Sequence, residues 1–218
     1  MATTEIGYGV LSLGEKANEL EGRGFIPIRR ELGVGAFGVN GLYQSTAGEP
    51  VVGEHDERGP GANGQEELYV VLQGGASFTI DGEEVDAPAG TAVLVQAGVK
   101  RKATATSDET IVLAVGGIRG EAYRVPPGGM LRPFFAQHEA KDYDAALAEL
   151  EKVFEIYPDN ALLSYNVACC EALLGRNEDA LATLATAIDK WPQFKENARE
   201  DEDFASVRDD PRFLELIG

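Results

Sequence analysis

The residue types that support catalysis occur in this chain, but few of them stand in a catalytic spacing. The sequence has no Gly-x-Ser-x-Gly motif and no Walker loop, the patterns that present a nucleophilic serine or cradle a phosphate. The glycine-rich run 33–38 precedes strand-like sequence rather than a helix, so it indicates turns or bulges. The acidic pairs Glu66-Glu67 and Glu83-Glu84 each point to opposite faces of a strand, and neither forms a two-carboxylate dyad.

The cysteines and histidines form no recognisable ligand set in the sequence. Cys169 and Cys170 are adjacent in a helical-looking segment, and vicinal cysteines rarely bridge each other. Without a Cys-x-x-Cys pair, a disulfide framework or a zinc knuckle is not expected, and we interpret both cysteines as part of a half-buried helix face. His55 and His138 fall in different halves of the chain, so separate domains would keep them apart.

Charge and hydropathy exclude several classes of partner. The 218 residues carry 37 acidic and 19 basic side chains, a net charge of −18, which repels phosphate backbones and argues against a nucleic-acid partner. No run approaches the ~18 apolar residues of a membrane helix. Residues 1–20 lack the basic start and apolar core of a secretory signal. We therefore expect a cytoplasmic protein with no membrane partner.

The first half of the chain has the periodicity of a β-protein. Residues 25–117 contain short runs rich in Val, Ile, Thr, Tyr and Phe between glycines. Asp81-Gly82 predicts a type I′ hairpin turn, which needs positive φ at both central residues. We predict an N-terminal extension over residues 1–24 and a closed barrel or sandwich over residues 25–125.

A basic run, Lys100-Arg101-Lys102, falls within this β-rich half. Alternation along a strand sends Arg101 inward and both lysines outward. We interpret the lysines as a solvated strand end rather than as a docking patch for an anionic partner.

The second half has a helical repeat of 34 residues. The cluster Pro126–Gly129 predicts a linker over residues 126–135, and residues 136–218 predict helices. The 34-residue offset relates three pairs of positions: Ala146 and Ala180, Leu150 and Leu184, Pro158 and Pro192.

Residues 130–218 resemble the closing part of a tetratricopeptide array. The resemblance rests on the 34-residue period, on LSYNVACCEALLG as the first helix of a unit, and on DEDFASVRDDPRFLEL as a terminal helix that seals the stack. Ser164 and Glu171 depart from the pattern, which favours larger or aromatic residues there. About two units are close to the minimum for an independent core, so the resemblance implies support from the barrel, a protein partner or a second copy.

Residues 40–117 resemble a cupin domain. The segment EELYVVLQGGASFTIDGEEVDAPAG is similar to the first half of that domain, in which a Glu is followed by six residues and a Gly, as Glu67 is by Gly74. In the second cupin motif Gly90 and Gly98 fit, whereas three positions depart from the pattern: Gln96 replaces Pro, Arg101 replaces His and Ala105 replaces Asn. The resemblance implies an all-β jelly-roll barrel followed by an all-α tetratricopeptide-like repeat domain.

The resemblance also implies a candidate metal set. Metal-binding cupins take two His from one strand, a Glu from the next and a third His from a later strand; the nearest equivalents here are His55, Glu57 and Glu67, with Arg101 at the last position. One imidazole and two carboxylates suit a divalent ion such as Fe, Mn, Zn or Ni. Because Arg101 stays cationic and opposes such an ion, the favoured expectation is no metal cofactor.

Without a metal, the resemblance implies a pocket for a small anionic ligand. Arg101 would offer a bidentate fork, His55 and Glu67 would add hydrogen bonds, and Tyr69 would form a wall. The alternative is that Arg101 pairs with Glu67 or Glu57 and fills the former metal site. The sequence leaves these two interpretations open.

The favoured function is a non-catalytic binding or scaffold module joined to a segment that binds a protein partner or a second copy. Cupins often pair through edge strands, so a homodimer is expected by analogy. A metal-dependent oxygenase or isomerase using His55, Glu57 and Glu67 is the first alternative. A metal-free isomerase or epimerase with His55 as the general base is the second.

Overall fold

The structure is a computed structural model that describes residues 8–218, so the first seven residues of the predicted N-terminal extension lie outside the described part. The chain divides into two units. The first unit extends as far as Gly59 and continues over Asn63–Arg124, and the second unit comprises Pro60–Ala62 and Val125–Gly218. Each unit has its own clusters of buried apolar side chains.

The first unit is a two-sheet β-sandwich with two short helices before β2. Its elements are α1 (Leu13–Asn18), β1 (Arg23–Ile26), α2 (Ile28–Leu32), β2 (Gly38–Gln44), β3 (Pro50–His55), β4 (Glu66–Gln73), β5 (Gly75–Ile80), β6 (Glu83–Pro88), β7 (Ala92–Val95), β8 (Arg101–Ala105) and β9 (Thr110–Gly117). One sheet has the order β1-β2-β9-β4-β7, and the other has the order β3-β8-β5-β6. The paired strands are antiparallel.

The predicted strands are present, but the expectation of a closed barrel is wrong. Hydrogen bonding stops at β1 and β7 in one sheet and at β3 and β6 in the other, so the two sheets pack face to face without joining. Alternation along β4 and β5 directs Tyr69, Val71 and Phe78 between the sheets, where each is at most 1% exposed. The turn prediction is confirmed, since Asp81 and Gly82 both have positive φ (47° and 92°).

The described part of the predicted N-terminal extension belongs to the fold. β1 pairs with β2 from Arg23 to Ile26. Ala17 of α1 and Ile28 of α2 pack with Val39 and Ile111 in one buried cluster. Because Val39 and Ile111 point away from the sandwich interior, the two short helices cover the outer face of the larger sheet.

The second unit is helical. Its elements are α3 (Pro127–Met130), α4 (Arg132–Glu139), α5 (Tyr143–Phe154), α6 (Ala161–Leu173), α7 (Asn177–Lys190), α8 (Phe194–Glu200), a 3₁₀-helix (Glu202–Phe204) and α9 (Pro211–Ile217). The predicted linker 126–135 is therefore not irregular, because α3 and the start of α4 lie in it. Proline is well tolerated in a first helical turn, where its missing N–H would have no partner. Among the described residues, no helix is long and apolar enough to cross a membrane.

The 34-residue period has a structural counterpart. α7 begins at Asn177, 34 residues after α5 begins at Tyr143. The repeated small and apolar positions are fully buried, as shown by Ala146, Leu150, Ala180 and Leu184. The predicted single terminal helix is instead a 3₁₀-helix and α9 separated by a turn, and the buried Phe204 and Phe213 stack together with ring centroids 5.7 Å apart.

The second unit buries both cysteines and holds a short segment of the β3–β4 loop. Cys169 and Cys170 are 3% and 0% exposed, so the interpretation of a half-buried face understates their burial; they belong to different apolar clusters. Residues 60–62 are held by hydrogen bonds from Asn160 Nδ2 to Pro60 O (2.7 Å) and from Gly128 N to Gly61 O (3.0 Å).

Candidate functional site

Five side chains predicted from the sequence come together at one end of the sandwich interior. His55 ends β3 and lies opposite Arg101, the first residue of β8. Glu67 and Tyr69 lie two residues apart on β4 and therefore share its inward face. Glu57 lies two residues beyond the end of β3. We call His55, Glu57, Glu67, Tyr69 and Arg101 the Glu67 cluster.

One oxygen of Glu67 is the centre of this cluster. Glu67 Oε2 lies 3.0 Å from His55 Nε2 and 3.1 Å from Arg101 Nη2, and it also accepts a short hydrogen bond from the Tyr69 hydroxyl. Three donors from three strands thus converge on a single carboxylate oxygen. Hydrogen bonds to a charged acceptor are stronger than neutral ones, so this arrangement favours an ionised Glu67.

The contacts of His55 favour a doubly protonated ring. Nδ1 lies 2.8 Å from the carbonyl oxygen of Gly53, and Nε2 lies 3.0 Å from Glu67 Oε2 and 3.4 Å from Glu57 Oε1. A carbonyl oxygen and an ionised carboxylate can only accept, so these contacts favour donation from both ring nitrogens; the Tyr69 hydroxyl also lies 3.3 Å from Nε2. The hydrogen bond to Glu67 raises the pKa of His55, and the Gly53 carbonyl adds to this effect against the opposing influence of burial.

The two carboxylates of the cluster differ in their readiness to ionise. Burial acts to raise the pKa of Glu67, but the hydrogen bonds from His55 and Tyr69 outweigh it and the pKa lies below its ordinary value. Burial and the neighbouring Glu67 charge raise the pKa of Glu57. Burial likewise raises the pKa of Tyr69, so its hydroxyl stays a donor. Glu67 is therefore the fixed anion of the pair.

Glu57 is held in an unusual backbone conformation. Its φ is +62°, in the left-handed region that residues other than glycine seldom adopt. The carbonyl oxygen of Glu57 accepts from Gly64 N (3.0 Å), and the neighbouring Asp56 carbonyl accepts from Gly98 N (2.7 Å). These main-chain bonds fix the turn that directs the Glu57 carboxylate toward His55.

Arg101 is committed to the protein interior. Its side chain is fully buried and donates to Glu67 Oε2 and to the carbonyl oxygen of Val99 (3.0 Å). Its Nε is buried and has no hydrogen-bond partner among residues 8–218. The lysines on either side point outward and lie near Glu54, with Nζ–Oε distances of 2.9 Å for Lys100 and 3.9 Å for Lys102. The predicted alternation is therefore observed, and the geometry favours the ion-pair interpretation of Arg101 over a ligand fork.

A cavity of about 170 Å³ opens beside the cluster. His55, Glu67 and Tyr69 line it, whereas Arg101 and Glu57 do not. The other lining residues come from β1, β2, β3 and β9: Arg23, Phe25, Asn40, Leu42, Val51, Val52, Gly53 and Ala114. Three of the four predicted ligand-contacting residues thus reach the cavity.

Arg23 and Asn40 are cavity residues that the sequence analysis missed. Arg23 is exposed at the rim, and its guanidinium forms no ion pair or hydrogen bond within residues 8–218. Asn40 lies two residues before Leu42 on β2, and both point to the inward face of the strand. A polar residue at an inward position of an apolar strand was the signal for Asn40, but the role of Arg23 depends on the pairing of β1 with β2, which no local pattern indicates.

The donor types of the cluster suit a divalent ion, but their present contacts do not. One donor atom from each of His55, Glu57 and Glu67 lies within 4.8 Å of the other two, a set compatible with Fe(II) or Mn(II). However, Glu67 Oε2 is already engaged by three donors, and one of them is the buried guanidinium of Arg101. A divalent ion would have to displace those donors and lie beside a fixed cation. The residues as arranged therefore do not fit a metal.

Comparisons with protein families confirm both resemblances. Residues 52–116 match the Cupin domain family, and residues 137–198 match the Tetratricopeptide repeat family. No curated protein matches the chain.

Solved structures with related folds include proteins of different kinds. A cupin protein from Bacteroides fragilis shares 24% identity over 56% of this chain and 94% of its own, with a TM-score of 0.39. The cupin domain of an XRE family transcriptional regulator from Enterobacter cloacae shares 15% identity over 45% of this chain and 98% of its own, with a TM-score of 0.36. The DMSP lyase DddQ from Ruegeria pomeroyi shares 19% identity over 41% of this chain and 42% of its own, with a TM-score of 0.32. Likeness at these scores carries no functional information for this chain.

Proposed function

We propose that the cupin-like unit is a non-catalytic module that binds a small anionic molecule in the cavity beside the Glu67 cluster. The observation that carries the proposal is the charge of the cavity wall. Arg23 at the rim has no counter-ion among the described residues, and the contacts of His55 favour a cationic ring. Glu67 is the one acidic residue of the lining, and the buried Arg101 neutralises it.

The cavity selects a compact ligand. Its volume of about 170 Å³ is below the roughly 300–1,000 Å³ of pockets that hold drug-sized molecules. Its walls are mainly apolar, with Val51, Val52 and Leu42 between the polar groups. A carboxylate on a short aliphatic or aromatic body matches these walls, with the carboxylate directed toward Arg23.

The same contacts argue against the metal-free isomerase alternative. A general base needs a free lone pair within reach of the substrate. Both nitrogens of His55 are instead occupied by acceptors of the protein. The metal-dependent alternative is favoured by the proximity of three ligand-type atoms and opposed by Arg101, so metal content is the measurement that separates it from the binding module.

We also propose that the tetratricopeptide-like unit binds a protein partner or a second copy of the chain. The match over residues 137–198 and the short length of the array support this proposal, because few repeats leave an end or groove available for association. A cytoplasmic homodimer is the expected state, and its mass by light scattering is the test of the oligomer.

The binding proposal is tested by titrating small anions against matched variants. Acetate, succinate, benzoate and inorganic phosphate are titrated calorimetrically into wild type, Arg23→Gln and Arg30→Gln; Arg30 is exposed on α2 and does not line the cavity. We expect at least one carboxylate to bind wild type and Arg30→Gln, and to bind Arg23→Gln about tenfold more weakly, the equivalent of one charge-assisted hydrogen bond. Equal binding to all three proteins, or to none, would reject the proposal.

Metal content is measured in parallel on untagged wild type and His55→Ala purified without chelator. We expect the content of Fe, Mn, Zn and Ni to differ between wild type and His55→Ala by much less than one ion per chain. Near-stoichiometric metal in wild type that is lost in His55→Ala would instead make the cupin-like unit a metal enzyme.

A further inference from the structure

A second cluster of ligand-type side chains lies in the second unit, and the proposed function does not use it. Cys169 comes from α6, Asp201 precedes the 3₁₀-helix that contains Asp203, and His138 comes from the last turn of α4. One donor atom from each of Cys169, Asp201 and Asp203 lies within 4.8 Å of the other two. His138 Nε2 lies 2.9 Å from Asp203 Oδ2. We call these four residues the Cys169 cluster.

The carboxylates of this cluster are not ion-paired with a lysine or an arginine of the described chain. Within residues 8–218, neither Asp201 nor Asp203 forms a side-chain ion pair with a lysine or an arginine. Arg208 reaches only the main-chain oxygen of Asp201, at 2.8 Å. The Asp201 carboxylate accepts from the Tyr165 hydroxyl (2.8 Å) and from the main-chain N–H of Asp203 (3.1 Å), and Asp203 Oδ2 lies beside the imidazole of His138. The cluster therefore lacks the counter-charge that a buried arginine would supply.

The sulfur of Cys169 is directed into this cluster. The residue is 3% exposed, and its thiol lies 3.8 Å from Asp201 Oδ2, the outer limit of a hydrogen bond to sulfur. The adjacent Cys170 belongs to a different apolar cluster with Leu150 and Leu163. One of the two vicinal cysteines thus faces polar ligand-type groups, and the other faces the hydrophobic core.

The distance between the sulfur of Cys169 and the carboxylate of Asp201 suits a tetrahedral metal ion. Zinc binds thiolate sulfur at about 2.3 Å and carboxylate oxygen at about 2.0 Å, so tetrahedral angles place those two atoms roughly 3.5 Å apart. The observed 3.8 Å between Cys169 Sγ and Asp201 Oδ2 needs an adjustment of only a few tenths of an ångström. A thiolate among the donors favours zinc over calcium or magnesium, which bind oxygen ligands.

We propose that the Cys169 cluster binds a divalent, thiol-seeking metal ion, with Zn²⁺ as the best match. Cys169 Sγ and the carboxylates of Asp201 and Asp203 are the protein ligands, and the thiol proton passes to solvent as the sulfur binds. His138 is a positioning residue, because its hydrogen bond orients Asp203. The ion has a route from solvent, since the side chains of His138 and Asp203 are 26% and 23% exposed.

A bound ion would join three elements of the second unit. Its ligands and their support come from α6, from the segment around the 3₁₀-helix and from α4, which are distant in sequence. An ion that binds only the folded state stabilises that state by mass action. The site would therefore strengthen an array that has few repeats.

Cobalt provides a test that distinguishes this site from the Glu67 cluster. Co²⁺ bound to a thiolate gives a sulfur-to-cobalt charge-transfer band in the near ultraviolet, and the Glu67 cluster contains no cysteine. The full-length protein is titrated with Co²⁺ as wild type, Cys169→Ser and Cys170→Ser. The Cys170→Ser variant is the matched control, since it alters the neighbouring thiol without touching the cluster.

We expect wild type and Cys170→Ser to develop the band with one equivalent of Co²⁺ and to lose it on addition of Zn²⁺. Cys169→Ser should show no band, and His138→Ala should bind Co²⁺ about tenfold more weakly. Asp203→Asn, at a partly exposed position, repeats the test if the buried cysteine variant does not fold. A band that survives in Cys169→Ser, or no band in wild type, would refute the site.

Discussion

The two units each contain a histidine beside two carboxylates, yet the two clusters are built on opposite electrostatic principles. In the Glu67 cluster a fully buried arginine donates to the central carboxylate, and His55 and Tyr69 complete its shell. In the Cys169 cluster no lysine or arginine of the described chain pairs with either aspartate. We expect the permanent internal cation of the first cluster to take the place of a metal, and we propose that the second cluster, which has a thiol and no such cation, binds one. Ligand-type residues occur in both clusters, so the proposed difference depends on the charge beside them.

The largest expected effect comes from removing the internal cation. Arg101→Met removes the buried guanidinium and leaves Glu67 with the His55 ring as its remaining cationic partner, and breaking a buried pair is strongly destabilising. We expect a loss of about 3 kcal/mol in the unfolding free energy of the first unit, at the low end of the range because Glu67 is partly exposed. Hydrogen exchange of β4 amides in urea measures this unit, since the single tryptophan, Trp191, reports only on the other one.

Two variants serve as controls for that prediction. Lys100→Gln, in the same strand region but exposed, should leave the exchange rates of β4 unchanged. Arg101→Met combined with Glu67→Gln should recover part of the loss, because the unpaired charge is removed with its partner. If the single Arg101→Met variant were as stable as wild type, the contrast between the two clusters would not hold.

A smaller effect is expected from the tyrosine. Tyr69→Phe removes the hydroxyl that donates to Glu67 Oε2, and a hydrogen bond to a charged group contributes about 1.5 kcal/mol. Tyr43→Phe is the matched control, since its hydroxyl contacts no polar group within residues 8–218. The urea midpoint of Tyr69→Phe, followed by the same β4 amides, should lie below that of Tyr43→Phe. Equal midpoints would show that the Tyr69 hydroxyl does not stabilise the cluster.

The smallest expected effect depends on pH. Because the hydrogen bond to Glu67 raises the pKa of His55 in the folded state, its stabilisation is complete below the ordinary value of 6.5 and is lost as the pH rises through the folded-state pKa. The stability difference between wild type and His55→Gln should therefore be larger at about pH 6 than at about pH 9. A constant difference across that interval would show that the ring is not cationic in the cluster.

Alternation within strands made part of the Glu67 cluster predictable. It directed Arg101 inward and both flanking lysines outward, and it placed Glu67 and Tyr69 on one face of β4. The burial of Arg101 could not be predicted from alternation, because its full enclosure depends on the packing of two sheets against each other. Its consequence is that the guanidinium does not reach the cavity.

The remaining site residues depend on pairings between distant segments. Arg23 reaches the cavity through the register of β1 against β2, and His138 meets Asp203 across 65 residues of sequence. Local periodicity carries no information on either contact. The helix α3 (Pro127–Met130), which overlaps the predicted linker, was missed for a different reason. A proline at the start of a helix is tolerated, whereas in the middle it would interrupt the helix.

The assignment of Pro60–Ala62 to the helical unit limits how the protein can be dissected. The chain enters and leaves that unit within the loop between β3 and β4 and returns to it after Arg124. A truncated chain ending at Arg124 would carry Pro60 and Gly61 without the Asn160 and Gly128 groups that bind their carbonyl oxygens. A chain beginning at Val125 would lack the same two acceptors. Neither half can be excised by a single cut without leaving part of its hydrogen bonding behind.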